Sequence, residues 1–347
     1  MCSQSDQSRS CVSPHAKPGP ETGRGGLDRE LPACQVLRAN PTGKGEASVK
    51  PSFTTADAVA LRRARWLDYL ALTKPELTLL SVTTALGGAY LGAGSDLSYW
   101  PLIHTLIGTI LVGAGAGALN QFTERERDAL MKRTENRPLP AGRVAPKAAL
   151  QFGLTAAFGG VAYLSVFTNS LAGFLAALTL ITYVLLYTPL KRVTPFATVI
   201  GGVPGALPPV IGWSAVTGEL SMGAWSLFFI LFFWQMPHFL ALASMYRKDY
   251  ARAGFQMLSV ADPSGEVVGR QSLVYCIALL AAALMPTMVG ILGITYFAGA
   301  LLLTAGFVVL GIRFYRSRTN GNARKLFLAS LIYLSLLIAL MILDRMI

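Results

Sequence analysis

The sequence is poor in charged residues: only 14% of its 347 residues are Asp, Glu, Lys or Arg. A soluble domain carries roughly a quarter of such residues, so this composition excludes an ordinary cytosolic globular protein. Acidic residues are the scarcer kind, with 18 Asp and Glu against 30 Lys and Arg, and the formal net charge is +12. That imbalance favours an anionic partner, such as nucleic acid, acidic lipid headgroups or a phosphorylated substrate.

Cysteine and histidine are also scarce, with four cysteines and three histidines in the chain. Cys2, Cys11 and Cys34 lie in a polar N-terminal stretch and Cys276 lies in an apolar run, without a CxxC pair or a histidine at metal-ligand spacing. The pattern therefore indicates neither a disulfide framework nor a zinc site.

Residues 1–65 are rich in Ser, Pro, Gly, Thr and charge, and they predict a disordered polar tail. An organelle-targeting peptide is the functional alternative, but four acidic residues disfavour it: Asp6, Glu21, Asp28 and Glu30. Residues 66–347 are predicted to form one membrane domain.

Long apolar runs dominate the chain from Leu77 onward. Runs of about 17 to 22 residues suffice to cross roughly 30 Å of hydrocarbon. They predict nine spans, at 77–94, 101–119, 147–167, 171–189, 196–216, 222–242, 271–291, 295–313 and 326–343. The runs are continuous rather than alternating, which indicates helices rather than a barrel. The predicted fold is therefore an all-α, polytopic membrane helix bundle with nine transmembrane helices.

The positive charges predict the orientation of this bundle. From Trp66 onward, Lys and Arg lie before the first span or after the second, fourth, sixth and eighth spans, and only Arg345 lies on the other side. The positive-inside rule places the former segments in the cytoplasm, and the odd number of spans places the C-terminus outside. We expect a multi-pass protein of the inner (plasma) membrane. Cations spread through short loops, without a recognised binding module, argue against nucleic acid.

The first polar cluster follows the second span directly. Asn120, Glu124 and Asp128 are spaced i, i+4, i+8, so they share one face if that helix continues. Close carboxylates repel unless a cation lies between them, and Mg²⁺ suits one or two carboxylates together with substrate phosphates. Arg133 and Arg137 follow and are suited to bidentate phosphate contact. The alternative interpretation is an exposed charge run whose members pair with one another.

The second cluster lies at the end of the sixth span. His238, Leu242, Tyr246 and Asp249 would share a face of a continuing helix, with Arg247 beside them. This pattern predicts a second half-site, in which Asp249 is a further metal ligand. His238 is a candidate substrate-binding group, although a lone histidine near a helix is more often structural.

The third cluster follows the fourth span. Lys191 and Arg192 are interpreted either as topogenic charge or as a phosphate clamp, and Tyr187 could face a developing carbocation through its ring. The next span contains three prolines and is predicted to be kinked: Pro204, Pro208 and Pro209.

At these residues the sequence resembles the UbiA superfamily of intramembrane prenyltransferases, and within it the branch that farnesylates haem. The matching stretches are DALMKRTENRPLP at 128–140, YTPLKR at 187–192, GALPPVIGW at 205–213 and WQMPHFLALASMYRKDYARAG at 234–254. The resemblance covers residues 66–347. Glu124 stands where the superfamily usually has Asp, and the Pro-Met-Leu-Pro stretch common after the position of Gly254 is missing.

The resemblance implies a UbiA-type bundle that transfers the farnesyl group of farnesyl diphosphate to a vinyl group of haem b, giving haem O for haem-copper oxidases. It implies Mg²⁺ at Asn120, Glu124 and Asp128, with a second ion near Asp249. The substrate-binding residues would be Arg133, Arg137, Lys191, Arg192, Tyr187, His238, Tyr246 and Arg247. Haem b is then a substrate, and the expected partners are the lipid bilayer and haem A synthase or oxidase assembly factors. The alternatives are a related transferase with another aromatic acceptor, a transporter, or a non-catalytic assembly scaffold.

Overall fold

The computed structural model describes residues 66–94 and 98–346, and across these ranges the chain is helical without any strand. This confirms the predicted all-α class, whereas the prediction for the tail falls on residues 1–65, outside the described ranges. A short helical stretch covers residues 66–72. The helices that follow are α1 (Pro75–Gly92), α2 (Tyr99–Asp128), α3 (Pro146–Phe167), α4 (Ser170–Leu190), α5 (Ala197–Thr217), α6 (Met222–Met245), α7 (Arg247–Arg252), α8 (Leu258–Ala261), α9 (Glu266–Met288), α10 (Ile294–Arg316) and α11 (Asn320–Met346).

Among the described helices, eight are long and apolar enough to cross a membrane, namely α2 to α6 and α9 to α11. This is one fewer than the nine predicted spans. The first predicted span corresponds to α1, which is long enough at 18 residues but less apolar than the other eight, since it begins with Pro75 and Glu76. It nevertheless packs against α2 and α5 within the bundle.

Two of the spans are irregular near the candidate site. The π-helical segment Ile181–Tyr187 lies within α4. The segments Ala197–Ala206 and Pro208–Thr217 of α5 are separated at Leu207, as its prolines predict. Such irregular turns redirect side chains and are frequent at functional sites.

Helices α1 and α5 approach each other closely because glycines lie at their contact. A Cβ on Gly88 would overlap with the backbone carbonyl of Pro209, and a Cβ on Gly212 would overlap with that of Ala85. Small residues at such contacts let backbones pack directly, which is a main source of helix association in lipid.

We expect Gly88→Ala to lower the free energy of unfolding in detergent by about 2–3 kcal/mol, because the added methyl forces the two backbones apart. Gly87→Ala is the matched control, since nothing lies within 4 Å of a Cβ at that adjacent position. Thermal unfolding followed by circular dichroism measures the difference. Equal melting temperatures for the two variants would show that α1 and α5 do not pack in this way.

The candidate site lies where α2 ends. This helix has 30 residues, so it is about 45 Å long and exceeds the roughly 30 Å of a bilayer's hydrocarbon core. Its last turns lie beside the segment before α1, the turn between α4 and α5, and the loop after α6.

Candidate active site

The end of α2 carries a buried polar face. The helix continues to Asp128, as the spacing of its polar residues requires, and Asn120, Glu124 and Asp128 are 0%, 5% and 1% exposed. Only the other face of the same run is solvated, where Arg125 pairs with the exposed Glu126 at 2.9 Å. The interpretation as a surface charge run therefore describes that pair and not the three residues on the buried face.

Cations from three other segments contact this face. Lys191 Nζ lies 2.8 Å from Glu124 Oε1, and an Arg137 guanidinium nitrogen lies 2.7 Å from Asp128 Oδ2. Lys74 Nζ donates a hydrogen bond to Asn120 Oδ1. Buried charges require such compensation. The structure thus brings five predicted site residues together: Asn120, Glu124, Asp128, Arg137 and Lys191.

The π-helical turn of α4 supplies two further neighbours. Asn120 Nδ2 donates to Thr188 Oγ1 over 3.1 Å, and this hydroxyl donates in turn to the carbonyl oxygen of Tyr183 over 2.8 Å. Lys191 Nζ lies 4.4 Å from the centroid of the Tyr187 ring. Tyr187 therefore belongs to the cluster, and Thr188 is a site residue that sequence reasoning missed.

Lys74 was also missed, although a lysine directly before Pro75, at the start of the first predicted span, was a usable signal. Its φ of 50° makes it the one non-glycine residue with a positive φ in the described ranges. Burial lowers the pKa of Lys74 to about 7, an effect that Arg137 and Lys191 reinforce and that the carboxylates of α2 oppose. The positive φ of Lys74 strains the backbone, and such strain concentrates at functional sites.

The cluster fits a hard divalent cation. Asp128 Oδ1 is buried and has no hydrogen-bond partner, and amide and carboxylate oxygens are the ligands that Mg²⁺ takes. In the described part of the chain, no three His, Cys, Asp or Glu side chains form a closed metal cluster. A site completed by substrate phosphates and water, as is usual for Mg²⁺, fits these residues.

The loop after α6 differs from the predicted single helix, which is wrong beyond Met245. Tyr246 leaves the helix with φ −103° and ψ 21°, and α7 restarts at Arg247. Asp249 pairs with Arg252 at 3.6 Å, and in the described residues it does not form a cluster of three possible metal ligands with the carboxylates of α2. Tyr246 lies against the loop after α2, with its ring centroid 5.4 Å from Arg133 Cζ.

Three other predicted site residues have partners away from the acidic face. His238 Nδ1 lies 2.7 Å from Ser330 Oγ of α11. Arg247 donates to the carbonyl oxygen of Pro263 over 2.8 Å. Arg192 donates to the carbonyl oxygen of Thr123 over 2.8 Å and so braces the turn after α4 against α2, while its buried Nε has no partner.

Arg127 is a third residue that sequence reasoning missed. It donates to the carbonyl oxygens of Ala253 and Gly254 over 2.6 and 2.9 Å, and its guanidinium lies 5.5 Å from the centre of the Phe255 ring. Gly254 has φ +68°, and a Cβ there would lie 2.9 Å from the Arg127 guanidinium. Arg127 therefore tethers the loop after α7 to the end of α2.

We expect Arg127→Ala to open this loop. Hydrogen bonds from a charged donor contribute about 1.5–3 kcal/mol each, so hydrogen-exchange protection of residues 247–256 should fall at least about tenfold. Lys132→Ala is the control, because Lys132 is exposed on the same side of the bundle. Unchanged protection in the Arg127 variant would contradict the tether.

Comparison with known proteins identifies relatives of the whole bundle. Residues 81–337 match the UbiA prenyltransferase family. The protoheme IX farnesyltransferase of Solibacter usitatus is 44% identical over 289 residues, covering 80% of this chain and 98% of that protein. The enzyme of the same name from Koribacter versatilis is 42% identical over 288 residues, covering 80% and 93%.

Solved structures share the fold at lower identity. A digeranylgeranylglyceryl phosphate synthase superposes with a TM-score of 0.69 at 16% identity, covering 81% of this chain and 98% of its own. A UbiA homologue from Archaeoglobus fulgidus bound to GPP and Mg²⁺ superposes with a TM-score of 0.58 at 17% identity, covering 81% and 100%.

Proposed function

The chain belongs to the UbiA prenyltransferase family, and from this membership we propose that it transfers the farnesyl group of farnesyl diphosphate to a vinyl group of protohaem IX (haem b), making haem O. The names of its relatives at 44% and 42% identity support this acceptor. The observation that carries the site assignment is the buried face of α2, where an unpartnered Asp128 oxygen lies among compensating cations.

The chemistry begins with loss of diphosphate. The allylic C1–O bond breaks, its electron pair leaves with the diphosphate, and negative charge grows on the departing oxygens. Lys191 and Arg137 lie within 2.8 Å of the acidic side chains of α2, so their charges stand beside a diphosphate bound there and stabilise it as it leaves. When bound by Asn120, Glu124 and Asp128, Mg²⁺ would supply a Lewis acid for the diphosphate oxygens.

The carbon–carbon bond forms next. The terminal vinyl carbon donates its π electrons to C1, and water adds to the cation left on the carbon beside the porphyrin while a proton leaves to solvent. The Tyr187 ring lies 4.4 Å from Lys191 Nζ and would face the allylic cation formed beside it. This ring and the surrounding apolar helices would also delay hydrolysis of that cation.

The isoprenoid chain requires an apolar surrounding, which the membrane helices supply. Helices α1, α5, α6 and α11 leave a small apolar gap between them, with Tyr90, Leu227 and Leu337 among its lining residues. We propose that the farnesyl chain extends from the end of α2 between the apolar helices and that the active-site loops face the cytoplasm, in the inner (plasma) membrane. Asp249 as ligand of a second ion, and haem A synthase or oxidase assembly factors as partners, stay predictions of the sequence.

Product analysis tests the acceptor. Membranes containing the protein receive farnesyl diphosphate, Mg²⁺ and one acceptor at a time: haem b, 4-hydroxybenzoate or a chlorophyllide. We expect a farnesylated, hydrated product by mass spectrometry with haem b alone. A farnesylated benzoate or chlorophyllide in its place would identify a related transferase.

Simultaneous loss of Asn120 and Asp128 distinguishes an enzyme from an assembly scaffold. A scaffold should tolerate that double variant, whereas an enzyme that uses the acidic face of α2 should not. We expect haem-copper oxidase maturation to fail in cells that depend on the double variant, while the protein still accumulates in the membrane. Normal maturation would contradict catalysis at this site.

A further inference from the structure

A second cavity, polar and open to one side, lies at the same end of the bundle as the candidate active site. Its volume is about 130 Å³, and it is formed by the loops around α7 and α8, the start of α9, the end of α10 and the start of α11. Its lining includes Ser244, Arg247, Ser259, Asp262, Arg318 and Asn320.

The two arginines of this cavity have donors to spare. Arg247 donates one hydrogen bond, to Pro263 O, and Arg318 donates one, to Tyr315 O over 3.2 Å. Neither forms an ion pair with a carboxylate in the described ranges. The carboxylate that shares the cavity, Asp262, accepts from Ser264 Oγ at 2.7 Å and from the Val268 N–H at 3.0 Å.

The packing of α9 against the end of α10 fixes the position of Arg318. Its stem lies beside the start of α9, where a Cβ on Gly265 or Gly269 would lie 3.6 or 3.7 Å from it. Two guanidinium groups with free N–H donors, facing one cavity, match the oxygens of a carboxylate or a phosphate.

The cavity adjoins the candidate active site through one apolar layer. Ser259 Oγ, in the cavity wall, donates to Ala243 O over 2.9 Å. Ala243 packs in one cluster with Met131, three residues beyond Asp128. The cavity and the end of α2 therefore lie on the two sides of one apolar layer, at the same end of the bundle.

We propose that Arg247 and Arg318 bind the propionate carboxylates of the haem acceptor, an inference that rests on the proposed function. Haem b carries two carboxylates on one edge and its vinyl groups away from them, so it requires cations distinct from those at the diphosphate. Lys191 and Arg137 are already paired with the acidic face of α2. Arg247 and Arg318 are unpaired in the described ranges and lie at the same end of the bundle. The phosphate of an anionic lipid offers the same oxyanion chemistry, and the experiment separates the two sources.

The test measures haem affinity and turnover in Arg247→Ala and Arg318→Ala. Absorbance titration of the purified protein with haem, without farnesyl diphosphate, should give a Kd about tenfold higher in each variant. The KM for haem should rise similarly, with kcat and the KM for farnesyl diphosphate unchanged. Arg324→Ala, an exposed arginine in the same basic segment but outside the cavity lining, should match the wild type.

Haem dimethyl ester, which lacks free carboxylates, shows whether the protein binds haem through these groups. We expect the wild type to bind the ester at least as weakly as each variant binds haem, and neither substitution to lower the affinity for the ester further. Variants that bind haem within twofold of the wild type would overturn the inference. Variants whose affinity for the ester falls tenfold below that of the wild type, as for haem, would overturn it too. If the haem affinities of the wild type and the variants differ in vesicles with phosphatidylglycerol but not in pure phosphatidylcholine, the cavity binds lipid, and this result would also overturn the inference.

These outcomes are separable from failure of the proposed function. If the wild type binds haem but makes no haem O with farnesyl diphosphate and Mg²⁺, the proposed function fails while the titration still decides the role of the two arginines.

Discussion

Asp128→Asn is expected to lower the rate of haem O formation by at least about 100-fold. The substitution keeps the size of the side chain but removes the charge of a carboxylate that is 1% exposed, binds Arg137 and has one oxygen without a partner. That free oxygen is the atom best placed to bind a metal ion. Initial rates in membranes with equal amounts of protein measure the effect.

The matched control is Glu126→Gln, which removes a carboxylate two residues away on the exposed face of α2. Glu126 is 83% exposed and pairs with Arg125, so its loss should change the rate by less than about twofold, as is usual for surface pairs. A rate for Asp128→Asn within threefold of the wild type would remove Asp128 from the mechanism.

Lys191→Met is the second substitution with a large expected effect, a fall of about 100-fold in kcat/KM for farnesyl diphosphate. Its ammonium group is the cation at Glu124 and lies beside Tyr187. Its loss therefore removes positive charge from the position at which we propose that the diphosphate leaves. Lys147→Met, which removes an exposed lysine at the start of α3, is the control and should be close to neutral.

Stability has to be separated from catalysis in this variant. Breaking a buried ion pair on one side leaves an uncompensated charge and costs about 3–5 kcal/mol, whereas replacing both partners is often close to neutral. The double variant Glu124→Gln/Lys191→Met should therefore recover the melting temperature in detergent without recovering activity. Recovery of both would show that Lys191 has only a structural role.

The fold and the acidic stripe could be predicted because both depend on local periodicity. The apolar runs are continuous over the length of a bilayer, and the spacing of Asn120, Glu124 and Asp128 places them on one face of any helix. The first predicted span forms the helix α1 but is less apolar than the other eight, since it begins with Pro75 and Glu76.

The partners of the stripe could not be predicted, because they come from distant parts of the chain. Lys74 reaches Asn120 from 46 residues away, and Arg127 reaches Gly254 across 127 residues. No local pattern encodes such contacts. The spacing of His238, Tyr246 and Asp249 also suggests one continuous helix, yet the helix ends at Met245 and the chain restarts as α7 at Arg247. The break interrupts the shared face that this spacing predicts.

The central claim is that the end of α2 binds a metal–diphosphate complex for transfer to haem. It is tested most directly by haem O formation from haem b and farnesyl diphosphate in membranes containing the wild-type protein, first depleted of divalent cations and then supplied with Mg²⁺. We expect depletion to lower the rate at least about 100-fold and Mg²⁺ to restore it. An undiminished rate in the depleted membranes would contradict it.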